Sequence, residues 1–404
     1  MGAGTLVELI ARGNQDTYII GNPQFSFFKS VYKRHTNFAI EPIKQIFTES
    51  PDFGKRVTCI IDKKADLLSD IMLELELPAL KTYVSWTNNI GCFIIDWVEL
   101  QFGGEPIDRI SGDLLDIFMD ITTPSGKKQP LYDMIGKYST FNNNTQTEAL
   151  KLLIPIPFWF CRSIEKALPL ISMQYTDIKL VFQFKPFDKC WYKLSNGETP
   201  SSTPSITKAN LICNFIYLDV FERTKFAKEK NHEYLIEQFQ SLNGFQLAQN
   251  LINANVRLFF NHNIKELYWT YRTSVATSNN DYNNYANVTN YGTSNELIVA
   301  PFNEMNLRFN GNDRFEKLAE TFFRLYQPYK HHSSGTNDYI YMYSFALTPE
   351  DTQPSGTCNF SKLDNITLNL DCSASIPSGI INVYAINYNI LRIQNGMSGL
   401  LFSS

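Results

Sequence analysis

The chain has 404 residues, of which 44% are hydrophobic, 14% aromatic and 19% charged, with a formal net charge of -4. Its length exceeds the roughly 250 to 300 residues at which a single hydrophobic core stops growing, so two domains are expected. The acidic balance supplies no field to hold a polyanion, which argues against direct nucleic-acid binding, and no stretch approaches the roughly 18 consecutive apolar residues of a membrane-spanning helix.

The opening sequence MGAGTLVELIARG carries neither a basic leader nor a long apolar core, and Leu6 stands where a myristoylation signal has Ser or Thr. A soluble, cytosolically made protein is expected. The apolar patch Leu6, Val7, Leu9 and Ile10 is too small to form a core, so this segment should order only by docking on a neighbour. Next come Lys29, Lys33, Arg34 and His35, interleaved with Phe27, Phe28, Val31, Tyr32 and Phe38. Such a mix suits nucleic acid or an acidic partner. On a net acidic chain, packing or contact with a protein partner is the expected use.

Beyond this segment, short alternating runs read as strands: VTCII at 57–61, DIMLELEL at 70–77, FIIDWVELQF at 93–102 and DIKLVFQF at 177–184. Polar stretches at 139–147, 193–208 and 273–295 read as surface loops. Helical patterns are brief. SGDLLDIFMDI at 111–121 places Ser111 as its cap, and FEKLAETFFRLY at 315–326 looks similar.

These pieces recur in order, which bears on architecture more than any single motif does. ELQFGGEPIDR at 99–109 precedes the first helix as NLRFNGNDR at 306–314 precedes the second. DIKLVFQF is answered by DNITLNLDC at 364–372, and CNFIYLDVFER at 213–223 by NVYAINYNILR at 382–392. Duplication of one β domain follows, with the join between about Arg223 and Gly244. Many strands, long loops and little helix point to jelly-roll sandwiches. An immunoglobulin-like sandwich is the rival, though its loops are shorter and it lacks the strand-turn-helix insertion.

Chemical motifs are sparse. His35, His232, His262, His331 and His332 form no HExxH or other metal spacing. NGMSGLL at 395–401 is not a GxSxG elbow, and Gly103-Gly104 precedes Glu105-Pro106 as a turn rather than a phosphate loop. No catalytic, cofactor-binding or metal residue is therefore assigned. Seven cysteines lack CxxC spacing and read as free thiols, with a Cys358–Cys372 pair as the alternative. Asn143, Asn287, Asn359 and Asn365 fit N-x-[ST]. Asn143 and Asn287 lie in polar loops and are the candidate glycan acceptors, whereas Asn359 and Asn365 flank strands.

The sequence resembles the major capsid proteins of nucleocytoplasmic large DNA viruses, most closely the algal-virus branch. The resemblance is carried by GNPQFSFFKSVYKRHTNFAIEP at 21–42, VELQFGGEPIDR at 98–109, IPIPFWFCRSIEKALPLISMQYTDIKL at 154–180 and YLDVFERTKFA at 217–227. In the second half it rests on HEYLIEQFQ at 232–240, YMYSFALTPEDTQPSGTCNFSKLDN at 341–365 and NVYAINYNILRIQNGMSGLLFSS at 382–404. The loops at 273–295 and 373–381 look short for the family, which bears on the outer crown rather than the barrels.

The resemblance implies an all-β protein of two consecutive eight-stranded jelly-roll β-sandwich domains, with short helices in loops. The expected division is an N-terminal arm at 1–26, a first jelly roll at 27–223, a linker at 224–243 and a second jelly roll at 244–404. It further implies a non-enzymatic shell protein without cofactor, whose homotrimers are pseudo-hexagonal capsomers tiling an icosahedral virion assembled in the host cytoplasm. Partners would be neighbouring capsomers and minor capsid proteins reached through the arm, with an inner viral membrane nearby and no direct nucleic acid. The residues alone leave open a carbohydrate-binding or carbohydrate-processing β-sandwich, which would need paired carboxylates that sequence cannot locate.

Overall fold

A computed structural model of the chain describes residues 2–80, 84–137, 148–193, 200, 203–286, 300–335, 338–373 and 376–402. The chain divides into two compact units, Met1–Asn37 and Phe38–Ser404. In the first, helices Ala3–Ile10 and Asp16–Ile20 bury no residue.

Among the described residues, the second unit has sixteen principal strands, eight in each half. The first eight are β1 (Phe38–Gln45), β2 (Arg56–Ile60), β3 (Leu67–Leu77), β4 (Ile95–Phe102), β5 (Glu105–Ser111), β6 (Leu150–Pro155), β7 (Ile178–Phe184) and β8 (Lys208–Leu218). The second eight are β9 (Asn231–Leu247), β10 (Asn253–Leu258), β11 (Asn263–Thr273), β12 (Phe302–Phe309), β13 (Asn312–Asp313), β14 (Ile340–Ser344), β15 (Ile366–Cys372) and β16 (Gly379–Gln394).

Sheet order fixes the fold. In the first half the two sheets run β1-β8-β3-β6 and β2-β7-β4-β5; in the second they run β9-β16-β11-β14 and β10-β15-β12-β13. Each half therefore wraps eight antiparallel strands in the same order, two jelly rolls in succession. The immunoglobulin-like alternative is excluded by this order.

Period-two alternation explains why these residues become strands. In β3, Ile71, Leu73, Leu75 and Leu77 are buried, while Met72, Glu74 and Glu76 are partly exposed on the other face. β7 and β15, matched in the sequence repeat, share one residue-by-residue burial pattern. The two hairpins of the repeat also agree. Gly103 and Gly104 (φ 59° and 94°) join β4 to β5, and Asn310 and Gly311 (φ 50° and 84°) join β12 to β13. Two successive positive φ angles form the turn that matches strand twist, which is why Gly and Asn-Gly stand there.

Each barrel has an apolar core. In the first, Val57, Ile71, Leu73, Val98, Leu100 and Phe215 pack with Phe182, whose ring meets Phe47 edge-on at 5.6 Å. In the second, Trp269 stacks on Tyr341 at 6.1 Å among Phe302, Leu368 and Val383. The first core continues across the halves, because Ile236, Phe239, Tyr268, Tyr384 and Ile386 belong to it.

Several expected elements shift. The helix expected at 315–326 begins at residue 320 and runs to 331, with a π-helical stretch at Phe322–Tyr326. Its anticipated first turn is drawn into the sheet, where Leu318–Ala319 pairs with Glu304–Met305 of β12. The strand read from 93 starts at Ile95, preceded by the helical turn Ile90–Phe93. The run at 213–223 is divided between β8 and helix Val220–Lys228, which Asp219 caps by accepting from the Val220 N–H. Residues 224–243 hold the rest of that helix and most of β9. All seven cysteines are free thiols, so the Cys358–Cys372 alternative does not form.

Candidate functional site: the seam and the assembly surfaces

Where the two barrels meet, backbone and side chains form a specific polar seam. The Phe239 N–H of β9 donates to Asp108 Oδ1 of β5 at 2.9 Å, and the Gln238 amide donates to the Ile107 carbonyl. At the other end of the chain, Met397–Leu400 pairs with β16, and the hairpin docks on the first barrel. There the Tyr175 N–H donates to the Gly396 carbonyl at 3.0 Å, and the Ser398 N–H donates to Thr176 Oγ1 at 3.0 Å.

Charged groups are buried along this seam in compensated clusters. Lys137 Nζ lies 2.8 Å from Asp116, 3.7 Å from Asp120 and 3.9 Å from Asp338, the last contributed by the second half. Asp116 also accepts from Asn283 and from the Tyr285 hydroxyl. Burial pushes the Asp338 carboxyl up to about 6. Arg272 donates to Asp113 at 3.1 Å and to the Tyr282 carbonyl at 2.7 Å. Residues 273–295 were expected to be a surface loop, yet Tyr282, Tyr285 and Ala286 are buried here. Tyr282 and Tyr285 were one hint of burial in an Asn-rich segment whose polar composition otherwise marks solvent exposure.

A third cluster surrounds Glu237 of β9, which is contacted by Arg162, by Lys265 at 2.8 Å and by Lys166 at 3.7 Å. Burial alone would raise the Glu237 carboxyl, but Arg162 and Lys265 hold it below the ordinary range. Nearby, His332 lies between Glu266 at 2.9 Å and Glu350 at 3.0 Å. Burial opposes the charge on its ring, yet the Glu266 carboxylate and both hydrogen bonds hold its pKa up at about 9. Asp108 is raised to about 7 by burial.

The other histidines are dispersed. His35 lies in the N-terminal unit, His232 beside Ser172 and the Phe226 carbonyl, His262 at a turn with φ 67°, and His331 beside the Leu347 carbonyl. Adjacent in sequence, His331 and His332 thus face different partners, as expected of neighbouring side chains. Among the described residues no group of three or more His, Cys, Asp or Glu could hold a metal ion. The glycan candidates Asn143 and Asn287 lie outside the described residues. Asn359 pairs with Asn263 of β11, and the Asn365 carbonyl accepts from the Asn310 N–H at 2.7 Å.

Apolar side chains also reach the surface in groups. In the N-terminal unit, Leu6, Val7, Leu9, Ile10, Tyr18, Ile19, Phe25, Phe27, Phe28, Val31 and Tyr32 are all exposed. On the first barrel, edge strand β1 presents Phe38 and Ile40, while Pro42 interrupts its donor row. On the second barrel, Leu325, Tyr326 and Tyr329 line the outer face of the helical segment at 320–331, with Leu347 also exposed. Exposed apolar groups on this scale mark contact surfaces. No described helix is long and apolar enough to cross a membrane.

Residues 222–399 match the family described as "Large eukaryotic DNA virus major capsid protein", and residues 26–219 match "Major capsid protein N-terminus". The major capsid protein of Pyramimonas orientalis virus is 36% identical, and that of Paramecium bursaria Chlorella virus 1 is 34% identical, each alignment covering 100% of both chains. Among solved structures, a chain of the PBCV-1 virus capsid superimposes with a TM-score of 0.80 at 31% identity, over 94% of this chain and 100% of that one. The Faustovirus major capsid protein shares the fold, with a TM-score of 0.76 at 13% identity, over 96% of each chain.

Proposed function

This chain belongs to the major capsid proteins of large eukaryotic DNA viruses, and from that premise we propose that three copies close into a pseudo-hexagonal capsomer. It is a structural protein of the virion rather than an enzyme. The observation that carries the proposal is the repeated strand order, which gives one chain two barrels of the same topology held by one polar seam. Three such chains about an axis present six similar barrels, and a six-sided outline tiles a surface with neighbouring capsomers. Closed symmetry covers the exposed apolar groups of the barrel walls without open-ended growth. Interfaces above roughly 2,000 Å² are expected for such a permanent assembly.

The domain division proposed for this tile keeps 27–223 and 244–404 as the two jelly rolls about a join at 224–243, with β9 beginning inside the join. The N-terminal arm, 1–26, is proposed to dock on minor capsid proteins beneath the shell, during assembly in the host cytoplasm and near an inner viral membrane. Its exposed apolar residues support a partner that completes its burial. Analytical ultracentrifugation at micromolar concentration and neutral pH should give one species of three chain masses. A stable, folded monomer or dimer would refute the trimer. Removal of 1–26 should leave that trimer intact and prevent its incorporation into shells.

A further inference from the structure

A cavity of about 400 Å³ opens at the seam and is walled by both barrels. We propose that it binds a small amphiphilic anion: a carboxylate or phosphate-ester head joined to an apolar body. Its volume falls within the range of small-molecule sites, roughly 300 to 1,000 Å³. Phe118, Met119, Trp159 and Pro349 supply an apolar wall, and the charged groups around Glu237 supply a polar one.

The lining as a whole, with His332 charged and Glu266, Glu350 and Asp351 among its carboxylates, is neutral, but its cations gather around one carboxylate. Arg162, Lys166 and Lys265 are three cationic side chains, and the one carboxylate they share is Glu237. The other buried carboxylate of the lining is engaged elsewhere, because Glu266 accepts from the Tyr268 hydroxyl at 2.9 Å and is paired with His332. Glu350, nearer solvent, takes the Ser333 N–H and the other face of His332. Arg162 is pre-oriented for a ligand. Its guanidinium carbon lies 4.5 Å from the Phe118 ring centre and 4.7 Å from that of Phe239, and its Nε donates to the Pro157 carbonyl at 3.0 Å. One of its terminal nitrogens, Nη2, is buried with no hydrogen-bond partner. A buried donor left unpaired is costly, and charge-assisted bonds to an anion are the strong ones. An anionic head at Arg162 and Lys166 would satisfy that donor and take a share of the cations gathered about Glu237, while the apolar body lies against Trp159 and Phe118. A ligand held by residues of both halves would brace the seam, so binding should raise the temperature at which the barrels unfold.

The test uses the full chain, in whatever oligomeric state it adopts, so it does not depend on the trimer. Octanoate is the probe, titrated by calorimetry and by thermal unfolding, with octanol, octyltrimethylammonium and inorganic phosphate as comparisons. Octanoate should bind at one site per chain and raise the unfolding temperature, while octyltrimethylammonium should do neither. Lys166→Met should weaken octanoate by about tenfold, the equivalent of one charge-assisted bond. Ser163→Trp, which fills the cavity and leaves the Glu237 contacts in place, should abolish binding in protein whose circular dichroism is unchanged. The proposal is overturned if octanoate gives no heat at millimolar concentration, or binds folded Ser163→Trp as well as the parent. Equal affinity for octanol would remove the anionic head from the proposal, and equal affinity for phosphate would show a site for an inorganic anion only.

Discussion

Replacing Lys137 with Met tests whether the seam is held by compensated charge. The lysine side chain is 9% exposed and Asp116 1%, so solvent screens their contact weakly. At 2.8 Å and an effective dielectric near 20, one such pair attracts by about 6 kcal/mol. Desolvation of the lysine offsets several kcal/mol of this, and removing one partner of a buried pair typically costs about 3 to 5 kcal/mol, because the other charge is left uncompensated. Here three carboxylates, Asp116, Asp120 and Asp338, would face one another with only Lys128, 3.5 Å from Asp120, left as a cation. The loss should also depend on pH. Asp338 already titrates at about 6, above its ordinary value of 3.8. A raised carboxyl pKa contributes stability that is present below the unfolded value and lost as pH rises through the folded one. Without Lys137 that pKa climbs further, so the deficit of the variant should grow between pH 5 and pH 8. Calorimetric unfolding of parent, Lys137→Met and Lys137→Met with Asp116→Asn across that range measures it, the double variant recovering part of the loss. A deficit below about 1 kcal/mol, or one flat with pH, would refute the reasoning.

Two further outcomes follow from local geometry. His332, held up at about 9 against 6.5 when free, contributes stability that is complete below about pH 6.5 and lost as pH rises through about 9. Its replacement by Gln should therefore lower the unfolding temperature most at pH 7, and the gap should narrow by pH 10; a gap constant over that range contradicts a charged imidazole. Gly112 opens the helix Gly112–Thr122, and a Cβ there would lie 2.2 Å from the Ile95 carbonyl oxygen and 2.4 Å from that of Cys92. Because both obstacles are backbone, Gly112→Ala should destabilise by about 1 to 3 kcal/mol or more, measured as a lowered unfolding temperature, and an unchanged value would show that the helix start can shift freely.

Much of the barrel architecture was legible because strand periodicity is local. The pairs β7 with β15 and β8 with β16 were visible as repeated segments, and Ser111 was readable as a helix cap, which the 3.4 Å bond from the Leu114 N–H bears out. The seam was not legible, since its members come from distant stretches. Lys137 and Asp338, or Gln238 and the Ile107 carbonyl, are brought together only by packing one barrel on the other. Composition was misleading at 280–286, where Asn suggested solvent. Arg272, on a strand that is otherwise buried, was the missed signal, for a buried guanidinium requires acceptors from somewhere, and the Tyr282 carbonyl and Asp113 provide them.

That division between legible barrels and an illegible seam has a physical reason. A barrel interior needs only apolar side chains of the right periodicity and volume, and many sequences satisfy it. The angle between two barrels is a stricter requirement, because apolar surfaces slide over one another at little cost while hydrogen bonds and ion pairs tolerate small errors only. Bonds from Gln238 and Phe239 set the register of β9 against β5, and Arg272, Lys137 and the 397–400 hairpin fix rotation about that contact at separate points. In a closed ring of six barrels an angular error at each junction would accumulate. Three of the six junctions in the proposed capsomer lie within single chains, so their angle is set by this seam before any subunit meets another. Only the remaining three are left for contacts between copies to determine, which is what a tile must do if every copy is to close the same ring.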